Sequence, residues 1–345
     1  PVKSETCISR LSPCLRHLER SKFGPSGILG VDIRVLQLLM PQVSWDQPWK
    51  SIIRQLQPDD DDASRIDSAI KSVRNVLQSS WTGSSDVSGF YVGGSYAKGT
   101  HTKGNLEVDL VVFLNDEDDV YREDSMKTFA KTISTMWNLG KSVRTTAHSV
   151  QFKHPSTSVD IDLCFTFRLD DNGAYSVFEE QRTHGRKRKR NSELTDADAL
   201  RDSSASVSAA QVSLVRAFCQ QHPAAKNAIM LMKGLKRRFF DPTNTYLPSY
   251  ILEVLVLHHW QEGITYEQII RKVFESVRDL GKQRIIFISQ NKASHRSHVE
   301  HYWSSRAVRG ALVMDPVNPF MNVAARVDVV DLGRRSASLL KALDL

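Results

Sequence analysis

The stretch YVGGSYAKGTHTKGNLEVDLVVFLND, residues 91–116, determines how the chain is interpreted. It begins with a short apolar segment that runs into a Gly-Gly-Ser turn, and it ends in the apolar run LVVFL. Between them Glu107 and Asp109 stand two residues apart, directly before the apolar run. Residues i and i+2 of a β-strand point to the same face, so we expect the two carboxylates to project together. An acid pair on a strand edge is often only a solvated face, but a fully apolar strand does not usually follow one.

Two carboxylates that project together repel each other, and they are not both buried and charged unless a cation lies between them. Mg²⁺ suits this arrangement because it prefers oxygen ligands and takes one or two carboxylates together with substrate phosphates. A third acid is expected from a neighbouring strand, and SVDIDLCFTF, residues 158–167, offers Asp160 and Asp162. The pattern therefore predicts a two-Mg²⁺ site for phosphoryl transfer.

The turn Gly93-Gly94-Ser95 supplies backbone N–H groups and a hydroxyl without side-chain bulk. Such a turn can wrap the β- and γ-phosphates of a nucleotide, and Lys98 can add a point charge to the same phosphates. Taken alone, a sequence of this kind is most often only a tight turn. Its place just ahead of the acid pair favours the phosphate-binding interpretation.

The composition of the 345 residues is that of an ordinary globular protein, with 41% hydrophobic and 25% charged residues. The net charge of +7 points to a polyanionic partner such as nucleic acid or nucleotide phosphates. No apolar run approaches the roughly 20 residues of a membrane span, and no secretory leader is recognisable. The four cysteines form none of the close pairs typical of zinc or redox sites, which favours free thiols in a reducing compartment. We expect a cytoplasmic location, with a nuclear one also open.

The pattern along the chain predicts three parts. Residues 1–53 form an N-terminal extension of unassigned role, residues 54–205 a mixed α/β lobe with a basic loop at 181–205, and residues 206–345 a helical lobe. In the mixed lobe, an amphipathic helix is predicted by the spacing of Ile66, Ile70, Val73 and Leu77. Helices of the second lobe are predicted at 210–221, 223–240, 248–263 and 265–281.

GGSYAKGT followed by EVDLVVFL resembles the signature of the nucleotidyltransferase superfamily that includes DNA polymerase beta. The closer resemblance is to 2′-5′-oligoadenylate synthetases, and LPSYILEVLVLHHW (247–260) and LVMDPVNPFMNV (312–323) are similar to further segments of that family. The likeness covers roughly residues 54 to 330. It implies an α+β fold, with a polymerase-beta-like lobe containing a mixed sheet, a helical C-terminal lobe and the active site in the cleft between them.

The resemblance implies three acids that hold two Mg²⁺ ions. Glu107 and Asp109 match the first two, although oligoadenylate synthetases have Asp at the first and the related cyclic GMP-AMP synthases have Glu. For the third we favour Asp160, because Phe165 follows it at the family's distance, with Asp162 as the alternative.

For the nucleotide, the resemblance assigns Gly94 and Ser95 to phosphate wrapping. It also assigns Lys233 to the donor phosphates and Tyr250 to stacking on the donor base. Without the resemblance, Lys233 reads as a solvated helix lysine and Tyr250 as a core residue. A family arginine is replaced here by Met230, so its phosphate contact is lost or supplied elsewhere, with Lys236 and Arg237 as candidates.

Vertebrate-type members of the family are activated by double-stranded RNA, which is recognised by shape and backbone contacts. Arg216 falls on one such contact, whereas two family lysines fall on Gln78 and Gln220. The run GRKRKR adds a basic patch that includes Arg186, Lys187 and Arg188, and such a run is otherwise a solvated loop or a localisation signal.

The implied function is polymerisation of ATP into 2′-5′-linked oligoadenylates with release of pyrophosphate, activated by double-stranded RNA in innate immune defence against viruses. The main alternative is a cyclic-dinucleotide synthase, and the presence of Glu107 supports it. A catalytically inactive RNA-binding sensor is a second alternative, but the presence of all the acids argues against it. A third is a template-independent tRNA or poly(A) polymerase.

Overall fold

The computed structural model describes residues 46–81, 86–115, 124–146, 149–166, 207–287, 293–305, 311–319 and 321–345. Contacts group Trp45–Leu345 into one compact unit. The basic loop and nearly all of the N-terminal extension lie outside the described residues.

The elements follow the chain in this order: α1 (Asp46–Leu56), α2 (Asp60–Ser80), β1 (Val87–Val92), α3 (Gly94–Lys98), β2 (Glu107–Leu114), α4 (Ser125–Trp137), β3 (Arg144–Thr145), β4 (Ser149–Lys153), β5 (Asp160–Thr166), α5 (Ser208–Gln221), α6 (Pro223–Phe239), α7 (Ser249–His259), α8 (Tyr266–Arg278), β6 (Arg284–Ile285), α9 (Ala293–Ser305), β7 (Leu312–Val313) and α10 (Val329–Ala342). The four helices predicted between residues 210 and 281 are all present, with ends displaced by a few residues.

The first five strands form one mixed sheet in the order β1-β2-β5-β4-β3. Strands β2 and β5 run parallel, whereas the other neighbouring pairs are antiparallel. The parallel register places Glu107 opposite Asp160 and Asp109 opposite Asp162. The two acidic segments of the sequence are thus brought side by side at the centre of the sheet.

One face of the sheet packs against α2 and α4. Helix α2 begins at the N-cap Asp59, whose side chain accepts a hydrogen bond from the Asp62 backbone N–H at 2.9 Å. The four apolar residues predicted to share one face of this helix are all buried in that core: Ile66, Ile70, Val73 and Leu77. The face of β2 that carries Val108, Leu110 and Val112 meets the same core, so the alternation of the strand leaves Glu107 and Asp109 on the opposite face.

Helix α1 packs against α6 at a close approach. A Cβ atom added to Gly234 would lie 2.8 Å from the Leu56 Cδ1 atom, so a larger residue at Gly234 would displace the buried Leu56 side chain. Helix α1 runs from Asp46 to Leu56 and so continues across residue 53, the boundary predicted between the N-terminal extension and the next lobe. No helix in the described ranges has the length and apolar character needed to cross a bilayer.

Candidate active site

A pocket of about 620 Å³ opens on the face of the sheet that carries the acids. Its walls come from β2, the Gly-Gly-Ser turn, the start of α5, and the facing helices α6 and α7. Nine of the residues named from the sequence line it: Gly94, Ser95, Lys98, Glu107, Asp109, Lys233, Lys236, Arg237 and Tyr250. Asp160 and Asp162 are not among its lining residues. Arg216 lies elsewhere, exposed on α5, and Arg186, Lys187 and Arg188 lie outside the described residues.

The glycine turn is built against the carboxylate of Asp109. The Gly93 backbone N–H donates to the Asp109 carbonyl oxygen at 2.8 Å, and Gly94 adopts a positive φ of 61°. A Cβ atom at Gly94 would lie 1.5 Å from the Asp109 Oδ2 atom, which no side chain tolerates. Glycine is therefore required at this position for both its conformation and its lack of volume.

The two acids of β2, Glu107 and Asp109, lie close to each other and to the acids of β5. Burial, followed by the charges of Glu107 and Asp162, raises the pKa of Asp109 to about 7, against the opposing effect of Lys98 and Lys233. The pKa of Glu107 is also raised, first by burial and then by Asp162 and Asp160. The ionised forms of both acids are therefore unfavourable unless a cation joins them.

The two candidates for a third acid have different surroundings. Asp160 is exposed and forms an ion pair with Lys153 at 2.9 Å. Asp162 accepts a hydrogen bond on Oδ2 from Gln151 at 2.9 Å, while its buried Oδ1 atom has no hydrogen-bond partner in the part of the chain that the structure describes. Only Asp162 is among the main causes of the raised pKa of Asp109. The surroundings thus favour Asp162, although the sequence favoured Asp160.

The chemistry of these donors fits Mg²⁺. Within the described ranges, no three His, Cys, Asp or Glu side chains converge as a formed metal centre would. Glu107, Asp109 and Asp162 nevertheless offer oxygen ligands only, and the unpartnered Oδ1 atom of Asp162 is a free acceptor beside them. Glu107 and Asp109, together with Asp162 or Asp160 beside them on β5, are therefore the residues that would hold the ions.

A buried glutamate, Glu253 of α7, joins the two lysines of the pocket. Lys98 Nζ lies 2.8 Å from its Oε2 atom and Lys233 Nζ lies 2.6 Å from its Oε1 atom. Lys233 also donates to the Thr100 hydroxyl at 2.9 Å. Burial alone would raise the pKa of Glu253, but Lys233 and Lys98 outweigh it and lower that pKa to about 2. Two cations share one anion, so this wall of the pocket keeps one surplus positive charge.

Tyr250 contributes to the pocket wall, and its ring is held at two points. Its hydroxyl donates to the Asp315 Oδ1 atom at 3.2 Å, and Lys98 Nζ lies 4.4 Å from the ring centroid. Gln211 of α5 donates to the other Asp315 oxygen at 2.6 Å. The segment LVMDPVNPFMNV thus contacts the site through Asp315, which holds the Tyr250 ring by its hydroxyl group.

Two family models match the chain. Residues 70–136 match the nucleotidyltransferase domain, and residues 187–341 match the C-terminal domain 2 of 2′-5′-oligoadenylate synthetase 1. A curated relative, 2′-5′-oligoadenylate synthase 2 of Bos taurus, is 24% identical over 297 residues, which cover 79% of this chain and 40% of the relative. The chain thus spans about 40% of the length of the relative.

Solved structures share the fold at low sequence identity. CdnC of E. coli MS115-1, in a complex with HORMA-deltaN, superposes with a TM-score of 0.60 at 17% identity, covering 87% of this chain and 90% of that one. A cytoplasmic RNA terminal U-transferase gives a TM-score of 0.52 at 13% identity, with 87% and 93% covered. The CdnE c-di-GMP synthase of Capnocytophaga granulosa gives 0.50 at 14%, with 98% and 96% covered. The predicted polymerase-beta-like α+β fold is confirmed.

Proposed function

Because the chain is a divergent, 2′-5′-oligoadenylate-synthetase-like nucleotidyltransferase, we propose that it polymerises ATP into 2′-5′-linked oligoadenylates and releases pyrophosphate. The observation that carries the proposal is the contact between the Gly94 turn and the Asp109 carboxylate, in a pocket that Lys98 and Lys233 also line. A polyphosphate can bind there next to the acids that its transfer requires.

In this proposal each residue of the pocket has a distinct task. The backbone N–H groups and the hydroxyl of the Gly94-Ser95 turn hold the donor phosphates, and Lys98 and Lys233 neutralise them. Tyr250 stacks on the donor base. Glu107, Asp109 and Asp162 would hold two Mg²⁺ ions, which when bound lower the charge barrier for the attacking hydroxyl and the leaving pyrophosphate.

The second candidate is a cyclic-dinucleotide synthase. It is supported by Glu107 at the position where the oligoadenylate family has Asp, and by the likeness of the fold to CdnE. Against it stand the segments around Tyr250 and Asp315, which resemble the oligoadenylate branch. A catalytically inactive sensor is disfavoured because the acids and the glycine turn are all present.

Product analysis separates these candidates. The protein is incubated with labelled ATP, GTP or both in Mg²⁺, with and without double-stranded RNA, and the products are digested with nucleases specific for each linkage. Linear 2′-5′ oligoadenylates from ATP alone support the proposal. A cyclic dinucleotide, made from one nucleotide or from both, would replace it with the second candidate, and 3′-5′ chains would indicate a template-independent polymerase.

RNA dependence gives the first quantitative prediction. Arg216 is exposed on α5, and the two positions with lost lysines, Gln78 and Gln220, are exposed as well. We therefore expect weak binding of double-stranded RNA that falls steeply with salt, because phosphate neutralisation supplies most of such affinity. Arg216→Glu should reduce RNA stimulation several-fold, as should neutralisation of residues 186–190. The exposed Arg334 offers a control, since Arg334→Glu makes the same charge change on α10.

The activity assay with and without RNA decides this prediction. Equal stimulation of wild type, Arg216→Glu and the neutralised loop would place the activating surface elsewhere. Activation is then to be sought in residues 1–53, which the resemblance does not cover. High activity of the wild type without RNA would show instead that the RNA switch has been lost.

The second prediction concerns Lys233. Replacing it with alanine should raise the apparent KM for ATP about tenfold and change kcat less, because a phosphate contact made in both the ground and transition states contributes uniform binding. Lys226 is an exposed lysine on the same helix, outside the pocket lining, so Lys226→Ala is the matched control. An unchanged KM would reduce the role of Lys233 to pairing with Glu253.

A further inference from the structure

Helix α6 ends in three consecutive cations with different surroundings. Lys236 forms an ion pair with Asp241 at 2.9 Å, and Arg238 is exposed. Arg237 lies between them, and like Lys236 it is partly buried and lines the pocket. The three residues share the favourable interaction of a cation with the C-terminal end of a helix, so the helix dipole does not explain why Arg237 lines the pocket while Arg238 does not.

The guanidinium of Arg237 has no direct partner among the described residues. It forms no hydrogen bond or ion pair with any residue that the structure describes, although it can donate five hydrogen bonds. Burial lowers its pKa, while the charges of Asp241 and Glu107 act in the opposite direction. A partly buried guanidinium with unused donors is costly, and an anion that enters the pocket would offset that cost.

The other cations of the pocket are already paired. Lys98 and Lys233 share Glu253, and Lys236 has Asp241. Arg237 follows Lys233 by four residues, one helical turn later, and both side chains line the pocket. A planar guanidinium suits two oxygens of one phosphate, a geometry that a lysine does not provide.

We propose that Arg237 binds a phosphate group of the nucleotide in this pocket, as a second anchor one turn from Lys233. The inference rests on the proposed function, in that it takes the pocket to bind nucleotides. The phosphate belongs either to the triphosphate of the donor or to the 5′-phosphate of the growing acceptor, and both present the same chemistry to Arg237.

The test measures binding without turnover, on the full chain, for wild type and the variants Arg237→Gln, Arg237→Lys and Arg238→Gln. The probes are a non-hydrolysable ATP analogue, a 5′-phosphorylated 2′-5′ diadenylate and adenosine. Arg237→Gln should weaken the binding of at least one phosphate-bearing probe about tenfold and leave adenosine unchanged, since the lost contact is a charge-assisted one to phosphate, which adenosine lacks. Arg237→Lys should lose less, and Arg238→Gln should match the wild type.

The binding measurements distinguish the possible roles of Arg237. A loss confined to the ATP analogue assigns Arg237 to the donor, and a loss confined to the diadenylate assigns it to the acceptor. Wild-type affinity of Arg237→Gln for both phosphate-bearing probes overturns the inference, as does an equal loss in Arg238→Gln. A wild type that binds no nucleotide refutes the proposed function itself, whereas Arg237-dependent binding without any 2′-5′ product leaves the inference standing. Thermal melting of each variant separates lost binding from lost folding.

Discussion

Asp109→Asn is expected to abolish nucleotidyl transfer while the protein still folds. The substitution removes a negative oxygen ligand at the point where the glycine turn meets the acids, and it keeps the shape of the side chain. We expect a loss of at least about a thousandfold in kcat, because the charge stabilisation that bound metal supplies amounts to several kcal/mol. The measurement is single-turnover incorporation of labelled ATP in Mg²⁺.

The same substitution should stabilise the protein in a pH-dependent way when no Mg²⁺ is added. The folded-state pKa of Asp109 is about 7, above its ordinary value of 3.8, so the favourable contribution of its neutral form is fully present below 3.8 and is lost as pH rises through 7. Asparagine remains neutral throughout. The melting temperature of Asp109→Asn should therefore exceed that of wild type by a margin that grows between pH 4 and pH 7.

The substitution of an exposed acid serves as a control for both the activity and the melting experiments. Asp86 is an exposed acid just before β1, outside the pocket, so Asp86→Asn should leave the activity and the pH profile of melting unchanged. If Asp109→Asn kept more than a few per cent of activity, Asp109 would not be a ligand of the catalytic metal. If its melting temperature showed no pH-dependent gain, the raised pKa of Asp109, attributed first to burial and then to like charges, would be wrong.

The parts of the fold that follow from local periodicity could be predicted from the sequence. The two-residue period of β2 places Glu107 and Asp109 on one face, and the helical period of α2 buries Ile66 and Leu77. Both patterns involve neighbours along the chain, so they need no knowledge of tertiary contacts.

Contacts between distant residues could not be predicted in this way. Glu253 was overlooked because its partners Lys98 and Lys233 come from other elements, and Lys98 is 155 residues away along the chain. The available signal was a single glutamate within the apolar run SYILEVLVL, since an acid in that position needs a cationic partner. The contact of Lys233 with Thr100, 133 residues away along the chain, likewise depends on tertiary geometry.

The sequence pattern alone does not distinguish Asp160 from Asp162 as the third metal ligand. Both residues lie on one face of β5, so periodicity treats them alike, and the spacing to Phe165 favoured Asp160. The structure adds what spacing lacks, namely the ion pair of Asp160 with Lys153 and the buried Oδ1 atom of Asp162, which has no hydrogen-bond partner among the described residues. We therefore propose Asp162 as the third metal ligand.

The comparison of Asp162→Asn with Asp160→Asn tests this proposal directly. Asp162→Asn should lower kcat at least about a hundredfold, because it removes a charge from the ligand set, which costs a few kcal/mol. The asparagine oxygen can still accept from Gln151, so the strand pairing should survive. Asp160→Asn breaks an exposed ion pair with Lys153, and such pairs contribute at most about 1 kcal/mol, so its activity should stay within a few-fold of wild type.

The metal dependence of the two variants separates ligation from a general electrostatic effect. A lost ligand should raise the Mg²⁺ concentration needed for half-maximal activity, and Mn²⁺, which accepts oxygen ligands readily, should restore part of the activity of Asp162→Asn. Asp160→Asn should show the Mg²⁺ dependence of wild type. A large loss in Asp160→Asn with a mild effect in Asp162→Asn would reverse the assignment. Equal losses of activity in the two variants, with unchanged Mg²⁺ dependence, would mean that the acids of β5 contribute negative charge but do not bind the ions. The ions would then be held by Glu107 and Asp109 together with the phosphates of the substrate.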